Sequence, residues 1–245
     1  KDPQSKVTLV GKGITFDTGG LSLKTPAAMM NMRMDKAGAS TVLAVMSVLA
    51  ALEIPVEVRG LLAVAENMPG PQAVRPGDVV TARNGKTIQV LDTDFEGRVV
   101  MADALAYGAE ESPDVMIDIA TLTYQVAIAL GNEIGGLLSN NDALSTQILD
   151  TSLRVGEPLW RLPLARRYRP QVHTPTGVKN HPESDIGRAI TAGLFLESFV
   201  PPDISWAHLD LTGPAWRGPA SANGATGFGV RTLLDFLRTT SWSTS

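Results

Sequence analysis

Short apolar runs alternate with helix-like stretches along nearly the whole chain, and this order restricts its fold more than any other feature. Runs typical of buried strands fill 7–11 (VTLVG), 56–66, 87–91, 114–121, 134–139 and 204–211. Helical spacing of apolar residues fills 37–52, 97–111, 122–131, 142–156, 189–200 and 226–240. The Pro-, Arg- and Thr-rich segment 158–186 is expected to be irregular. Strands that are apolar throughout are covered on both faces. The pattern therefore predicts a three-layer α/β/α fold, with helices on both faces of a mostly parallel or mixed central sheet.

Composition narrows the function classes. The chain has 245 residues, 44% of them hydrophobic, which is enough to build a large core without cross-links. It contains no cysteine, so disulfides and thiolate metal sites are excluded. The formal net charge of −4 argues against nucleic acid as the main partner.

The chain has no uninterrupted apolar run of 18 residues, so we expect no membrane span. Its first residues, KDPQSKVTLV, carry neither an initiator Met nor an apolar targeting segment, and a strand-like run follows almost at once. We therefore expect the chain to be part of a longer protein.

Charged residues follow the predicted strands at the ends where α/β sheets place their chemistry. Lys12 and Asp17 follow the first strand, and Asp94 and Glu96 follow the strand at 87–91. If that segment is extended, Asp94 and Glu96 point the same way and present two carboxylates to one point. Gly97 would then permit a tight turn into the next helix.

Each of these residues also has a plain structural explanation. Asp35 lies just before a predicted helix and could be its N-cap. Asp17 precedes Thr-Gly-Gly and could form an Asx turn. Asp94 and Glu96 could be an acidic turn, and Lys12 a solvated lysine.

Taken together, the four carboxylates indicate a metal site, since they would repel one another without a cation. With no cysteine and only three histidines (His173, His181 and His208), such a site must be rich in oxygen ligands. Oxygen ligands suit Mg²⁺, Mn²⁺ or carboxylate-bound Zn²⁺. Four acids could hold two metal ions about 3.5–4 Å apart.

Two long motifs, VGKGITFDTGGLSLK (10–24) and DTDFEGR (92–98), resemble the site motifs of the leucyl aminopeptidase family, the dinuclear-metal cytosol aminopeptidases. The resemblance spans nearly the whole chain. It continues through ENMPG (66–70), RPGDVV (75–80), NGKTIQV (84–90), DIATLT (118–123), WRLPL (160–164), WAHLDLTGPAW (206–216) and GATGFGVRTLLDFL (224–237).

The resemblance implies an enzyme that removes the N-terminal residue of peptides, with Leu-like apolar residues preferred, through a metal-bridging water and a bicarbonate base. It also implies a cytoplasmic homo-hexamer, arranged as a dimer of trimers. Family chains carry a separate N-terminal domain and a further stretch before VGKGITFD. Residues 1–245 are therefore expected to form a single catalytic domain that lacks both.

By motif position, the resemblance identifies five metal ligands. Asp17 and Glu96 would bridge two divalent ions, Asp94 would serve one of them, and Asp35 with Lys12 the other. Zn or Mn is expected, and Mg or Co would also suit such ligands. A lysine ligates a metal only when neutral, so the cations must lower the pKa of Lys12 strongly.

The resemblance also implies the catalytic and binding residues. Lys24 matches the lysine that binds the substrate carbonyl oxygen and the oxyanion that develops from it. Arg98 matches the residue that holds bicarbonate, helped by backbone amides near Gly97 and Leu122. The substrate-binding positions are Lys24, Met32, Asp92 and Thr121.

The chain departs from the family pattern close to the site. Asp92 stands where Asn is usual, Phe95 where Ala is usual, and Tyr124 where Gly is usual. Phe95 is expected to point away from the metals if its segment is extended, or else to crowd the bicarbonate. Tyr124 could narrow or block the pocket. The segment HTPTGVKN (173–180) lacks an acid that relatives commonly carry.

Other functions stay open on the sequence. The departures allow a weakened or inactive relative that acts as a hexameric scaffold or DNA-binding protein, whereas intact Lys24 and Arg98 favour an enzyme. Arg161, Arg166, Arg167 and Arg169 are expected to form a solvated face or subunit contact rather than a nucleic-acid patch. A dinuclear phosphoesterase would need more histidines and a phosphate clamp. The three histidines are expected to be structural.

Overall fold

In the computed structural model, the described residues 5–182, 184–218, 224–240 and 242 form ten strands and seven α-helices. The strands are β1 (Lys6–Asp17), β2 (Glu57–Asn67), β3 (Val79–Thr81), β4 (Thr87–Gln89), β5 (Val115–Ala120), β6 (Gly135–Ser139), β7 (Leu159–Arg161), β8 (His173–Thr174), β9 (Gly177–Lys179) and β10 (Ser205–Asp210). The helices are α1 (Pro26–Met29), α2 (Ala37–Leu52), α3 (Glu96–Ala109), α4 (Tyr124–Leu130), α5 (Asp142–Arg154), α6 (Arg188–Glu197) and α7 (Val230–Thr239). Short 3-10 helices occupy Met32–Lys36, Thr93–Phe95 and Arg166–Gln171.

The main sheet has six strands in the order β2-β1-β5-β10-β6-β7. The first four are mutually parallel, and β6 runs antiparallel to β10 and parallel to β7. The carboxyl ends of β1, β5 and β10 therefore meet at one edge of the sheet, which is where such sheets place their ligands.

Helices cover both faces of this sheet. On one face, α2, α5 and α7 pack their apolar side chains, such as Val42, Ile148 and Phe236, against β1, β5 and β10. On the other face, α3 and α6 form a second core that includes Leu105 and Phe195. The predicted three-layer α/β/α fold with a mixed sheet is confirmed.

Two sequence expectations about local structure differ from the structure. The first strand extends to Asp17 rather than ending near residue 11, because β2 pairs along it as far as Asn67. The segment 158–186 is not wholly irregular. It contributes β7 to the main sheet, and β8 and β9 to a second sheet in the order β3-β4-β9-β8. Short strands of three residues or fewer carry too little periodicity to be read from sequence.

One helical segment, Met32–Leu52, is long and apolar enough by length and composition to cross a membrane, with a mean hydropathy of 1.4. The expectation of no such segment considered only uninterrupted apolar runs. Within it, Val42 and Val45 of α2 are fully buried against the sheet. A core helix passes the same test, so a single such segment is weak evidence of a membrane span.

Candidate metal centre

The five predicted ligands lie at the carboxyl edge of the main sheet. Lys12 and Asp17 belong to β1, Asp35 to the 3-10 helix before α2, Asp94 to the 3-10 helix Thr93–Phe95, and Glu96 begins α3. Lys12, Asp17 and Asp35 are buried. Carboxylate oxygens of Asp17, Asp94 and Glu96 all lie within 4.8 Å of one another. The packing of α3 on β1 thus brings together residues that are up to 84 positions apart in the chain (12 to 96).

Each of two lysines lies between a pair of these carboxylates. Lys12 Nζ is 2.7 Å from Asp35 Oδ1 and 2.9 Å from Glu96 Oε1. Lys24 Nζ is 3.0 Å from Asp17 Oδ2 and also contacts Asp94 Oδ1. Burial acts to lower the pKa of both lysines, but the paired carboxylates outweigh it and raise the pKa of each above its ordinary value.

Burial also perturbs the acids. It raises the pKa of Asp35 to about 7 against the attraction of Lys12, with the charge of Glu96 adding to the rise. Burial likewise raises the pKa of Asp94 to about 6 despite its contact with Lys24. These acids resist ionisation unless more positive charge is brought to them.

The arrangement fits divalent metal ions. Four carboxylates converge with only two ammonium groups among them. Asp35 Oδ2 is buried and accepts no hydrogen bond from any residue that the structure describes. A buried carboxylate oxygen without a donor is costly, and a cation would satisfy it.

The local structure corrects two sequence-based interpretations and agrees with a third. Asp35 is not the N-cap of α2, since Lys36 holds that position and the Asp35 carboxylate turns toward Lys12. Asp94 and Glu96 do not lie on an extended segment; a 3-10 turn followed by the first residue of α3 carries them. The expected Asx turn at Asp17 is present, with Gly19 N donating to Oδ1 at 2.8 Å.

Gly97 is required by a close approach, not by a turn. It is the second residue of α3, and a Cβ there would lie 2.5 Å from Lys12 Cε and 2.6 Å from Lys12 Nζ. Any larger residue here would force the Lys12 side chain to move from its place between Asp35 and Glu96.

Sequence reasoning missed a residue that supports this centre. Asn67, at the end of β2, donates from Nδ2 to Asp17 Oδ1 at 2.8 Å and to Thr93 O at 2.9 Å. Its backbone carbonyl accepts from Thr18 N at 2.9 Å. The signal available in the sequence was its place at the end of a predicted strand, the same signal that identified the acids.

Several residues predicted to bind substrate or bicarbonate already hold partners within the site. Thr121 Oγ1 donates to Asp35 Oδ1 at 2.7 Å, and the Thr121 carbonyl accepts from Lys12 at 3.2 Å. Asp92 Oδ1 caps the following turn by accepting from Asp94 N at 2.8 Å. The Leu122 amide donates to Asp210 Oδ1 at 3.2 Å. Met32 is half-buried in the 3-10 helix that carries Asp35.

Arg98 is fully enclosed beside the centre. Only 2% of it is exposed, its Nη1 donates to Asn180 O at 2.9 Å, and its Nε is buried without a hydrogen-bond partner among the described residues. Burial lowers the pKa of Arg98 to about 10 against the opposing effect of Glu96, so the group stays charged at neutral pH. An unpaired buried N–H on a cation points to an anion.

Two of the departures from the family pattern occupy different environments. The Phe95 ring does not simply point away: the Arg98 guanidinium lies 4.7 Å from its centroid, and the His181 ring is 4.6 Å away edge-on. Tyr124, the first residue of α4, is 70% exposed, so its ring does not fill the interior of the site.

The histidines and the arginine-rich segment lie outside the ligand set. His208 is buried with Nδ1 at 2.5 Å from Asp118 Oδ1, which agrees with a structural role. The exposed arginines largely pair with acids: Arg166 and Arg169 both bind Glu197, at 2.9 and 2.8 Å. That pairing reduces the charge available to a phosphate backbone.

Comparisons with known proteins show which family the chain resembles. The model of the cytosol aminopeptidase family, catalytic domain, matches residues 1–234. A probable cytosol aminopeptidase of Aquifex aeolicus (strain VF5) is 46% identical over 239 residues, which cover 96% of this chain and 48% of that protein. One from Chlorobium luteolum (strain DSM 273 / BCRC 81028 / 2530) is 43% identical over 246 residues, with 99% and 48% covered.

Solved structures agree as well. The bottromycin maturation enzyme BotP superposes with a TM-score of 0.89 at 42% identity, covering 96% of this chain and 52% of that one. The same enzyme in complex with Mn gives 0.89 at 41% identity, with 97% and 54% covered. The chain therefore spans about half the length of the relatives it matches. On the match to residues 1–234, the chain belongs to the cytosol aminopeptidase family.

Proposed function

We propose that this protein is a metal-dependent aminopeptidase that removes the N-terminal residue of peptides. The observation that carries the proposal is the convergence of Asp17, Asp94 and Glu96 within 4.8 Å, in a chain that belongs to the cytosol aminopeptidase family. Lys12 and Asp35 complete the ligand set, and Lys24 and Arg98 stand beside it.

The five ligand residues would hold two divalent ions. Mn is supported by the Mn complex of BotP, and Zn, Mg or Co would suit the same oxygen-rich ligands. When bound, such ions supply an activated water and polarise the carbonyl of the scissile bond. Lys12 would have to give up its proton to ligate, and its raised pKa opposes this throughout the neutral range unless the bound cations lower it.

The chain's own residues would then handle charge and position. Lys24 would turn its ammonium from Asp17 and Asp94 toward the substrate carbonyl oxygen and stabilise the negative charge that develops there. Arg98 would hold a bicarbonate through its Nε, with backbone amides near Gly97 and Leu122 completing the cradle. Bicarbonate bound there would supply a general base.

The substrate would be a peptide with a Leu-like N-terminal residue. Met32 and Thr121 would line the pocket for its side chain, and Asp92 would lie near its amine. The exposed ring of Tyr124 would contact the substrate at the rim of the site rather than close it. We further propose a single catalytic domain that works in the cytoplasm as a homo-hexamer, a dimer of trimers.

The proposal is tested by hydrolysis of a leucine anilide with added Mn²⁺ or Zn²⁺, with a chelator, and in an Asp94→Ala variant. Activity should require metal and fall by several orders of magnitude in the variant. Asp203→Ala, which changes an exposed acid before β10, is the matched control and should retain activity. A folded, metal-loaded protein without activity would favour the non-catalytic scaffold or DNA-binding alternative.

A further inference from the structure

Asn180 lies where the second sheet meets the metal centre. It directly follows β9, is fully buried, and donates from its backbone N to Gln89 O at 3.0 Å. This bond continues the parallel pairing of β9 with β4. The pairing therefore delivers the Asn180 side chain to the segment that leaves β4 and carries Asp94 and Glu96.

The Asn180 side-chain amide both accepts a hydrogen bond from the backbone of that segment and donates one to it. Its Oδ1 accepts from Leu91 N at 2.8 Å, and its Nδ2 donates to Asp92 O at 2.6 Å. Longer contacts reach Asp92 N and Phe95 O, each at 3.4 Å. The side chain acts as a strand partner for a stretch that has left the sheet, and it holds the backbone on both sides of Asp94.

The same residue also fixes the buried arginine. Its backbone carbonyl accepts from Arg98 Nη1 at 2.9 Å. One residue thus binds the turn that presents two carboxylates and the guanidinium that lies behind them. The position of Asn180 therefore fixes the carboxylate turn and the Arg98 guanidinium relative to each other.

We propose that Asn180 is a positioning residue that holds the turn of Asp94 and Glu96, together with Arg98, in the geometry that binds metal. The inference rests on the metal site of the proposed function, and Asn180 itself is not a ligand. Only a side chain with one acceptor and one donor at this reach satisfies both Leu91 N and Asp92 O. Aspartate would place a second acceptor against the Asp92 carbonyl, and alanine would leave both buried groups unpaired.

If Asn180 only stabilised the fold, its replacement would lower the Tm without weakening metal binding. A second asparagine in the chain offers a matched comparison. Asn140 makes the same pair of bonds at the amino end of β10, away from the carboxyl edge that holds the metal centre. Its Oδ1 accepts from Trp206 N at 2.7 Å, and its Nδ2 donates to Ile204 O at 3.0 Å. Both asparagines bind backbone groups at the end of an element, but only Asn180 adjoins the metal centre.

The test compares Asn180→Asp, Asn180→Ser and Asn180→Ala with Asn140→Asp and Asn140→Ala. The Mn²⁺ dissociation constant is measured by calorimetry at a temperature where every variant is folded, with the Tm of chelator-treated protein, kcat and KM alongside. Both sets should lower Tm. Only the Asn180 set should weaken Mn²⁺ binding, by about 10- to 100-fold, and lower kcat.

Asn180→Asp keeps the test decisive if Asn180→Ala does not fold, since aspartate has the same shape and keeps the acceptor for Leu91 N. Mn²⁺ binding within twofold of wild type in the Asn180 set, or losses matched by the Asn140 set, would overturn the positioning role. If wild type binds Mn²⁺ but hydrolyses nothing, the proposed function fails, and the affinity comparison still decides the role of Asn180.

Discussion

Lys24 Nζ lies 3.0 Å from Asp17 Oδ2 and contacts Asp94 Oδ1 as well, so the lysine proposed to act on the substrate is held by two proposed metal ligands. The ammonium partly neutralises their charge. Divalent ions that bind Asp17 and Asp94 would compete with Lys24 and release it toward the substrate.

Lys24→Met should therefore change stability and metal response together. In chelator-treated protein the Tm should fall, because Asp17 and Asp94 lose their cation. Added Mn²⁺ should raise the Tm by more than it does in wild type, and leucine anilide hydrolysis should fall by about 10²- to 10³-fold. Thermal melts with and without Mn²⁺ measure this. Lys86→Met, which removes a lysine bonded to Ser198 O away from the site, is the control. An unchanged Mn²⁺ response in Lys24→Met would contradict the competition.

Mn²⁺ affinity should rise with pH between about pH 6 and pH 8. Lys12 must lose a proton to ligate, and the carboxylates of Asp35 and Glu96 raise the pKa of Lys12 although burial opposes them. Burial also raises the pKa of Asp35 to about 7 and that of Asp94 to about 6, so both retain protons in the lower part of this range. Binding must displace these protons. Calorimetry in buffers of different ionisation enthalpy should show proton release, and a pH-independent affinity would be inconsistent with this.

Gly97→Ala should weaken Mn²⁺ binding by about tenfold or more, by analogy with losses of other supporting contacts at metal sites. Its Cβ would lie 2.5 Å from Lys12 Cε, so the lysine must move away from Asp35 and Glu96. Gly108→Ala in the same helix is the matched control, since its Cβ would meet Thr8 Cγ2 at 2.9 Å and leave Lys12 untouched. Calorimetric titration of both variants distinguishes a local effect on Lys12 from a general effect on α3. Equal affinities in the two variants would refute the explanation given for Gly97.

The pKa values of the three histidines should lie on different sides of the ordinary value of 6.5, with His173 and His181 below it and His208 above it. Burial, with nearby arginines adding to it, lowers the pKa of His173 and His181. Burial acts to lower the pKa of His208 too, but Asp118, 2.5 Å away, outweighs it and raises that pKa above 6.5. Imidazole NMR titration, assigned with His208→Asn, measures all three. Signals of His208 that titrate below 6.5 would contradict the pairing.

The raised pKa of His208 determines how the free energy of unfolding changes with pH. A histidine whose pKa is raised by folding contributes its stabilisation in full below its unfolded pKa, near 6.5, and loses it as the pH rises through the folded value. The free energy of unfolding should therefore lose a component as the pH rises above 6.5, and His208→Asn should remove that component. Denaturant unfolding at several pH values is the measurement.

Much of this architecture follows from local patterns in the sequence. The alternation of apolar strands and helices determined the three-layer fold, because period and length are properties of contiguous residues. Most of the proposed ligand set was also predicted locally, since Lys12 and Asp17 share one motif, and Asp94 and Glu96 another. The alternative explanation of Asp35 as an N-cap and the turn assigned to Gly97 were wrong, because both depend on neighbours from other elements.

The tertiary structure alone decided how the site is held together. Asn67 reaches Asp17 across 50 residues, and Asn180 reaches Asp92 across 88. Asn67 had only its place at the end of a predicted strand as a signal, and Asn180 had none, since 158–186 was expected to be irregular. Lys24 likewise meets Asp94 only because α3 packs on β1 and brings the turn before that helix beside the end of the strand. A sequence specifies which side chains are available through local periodicity and motif. Hydrogen bonds and ion pairs between distant residues depend on strand order and register, which the packing of the whole chain determines.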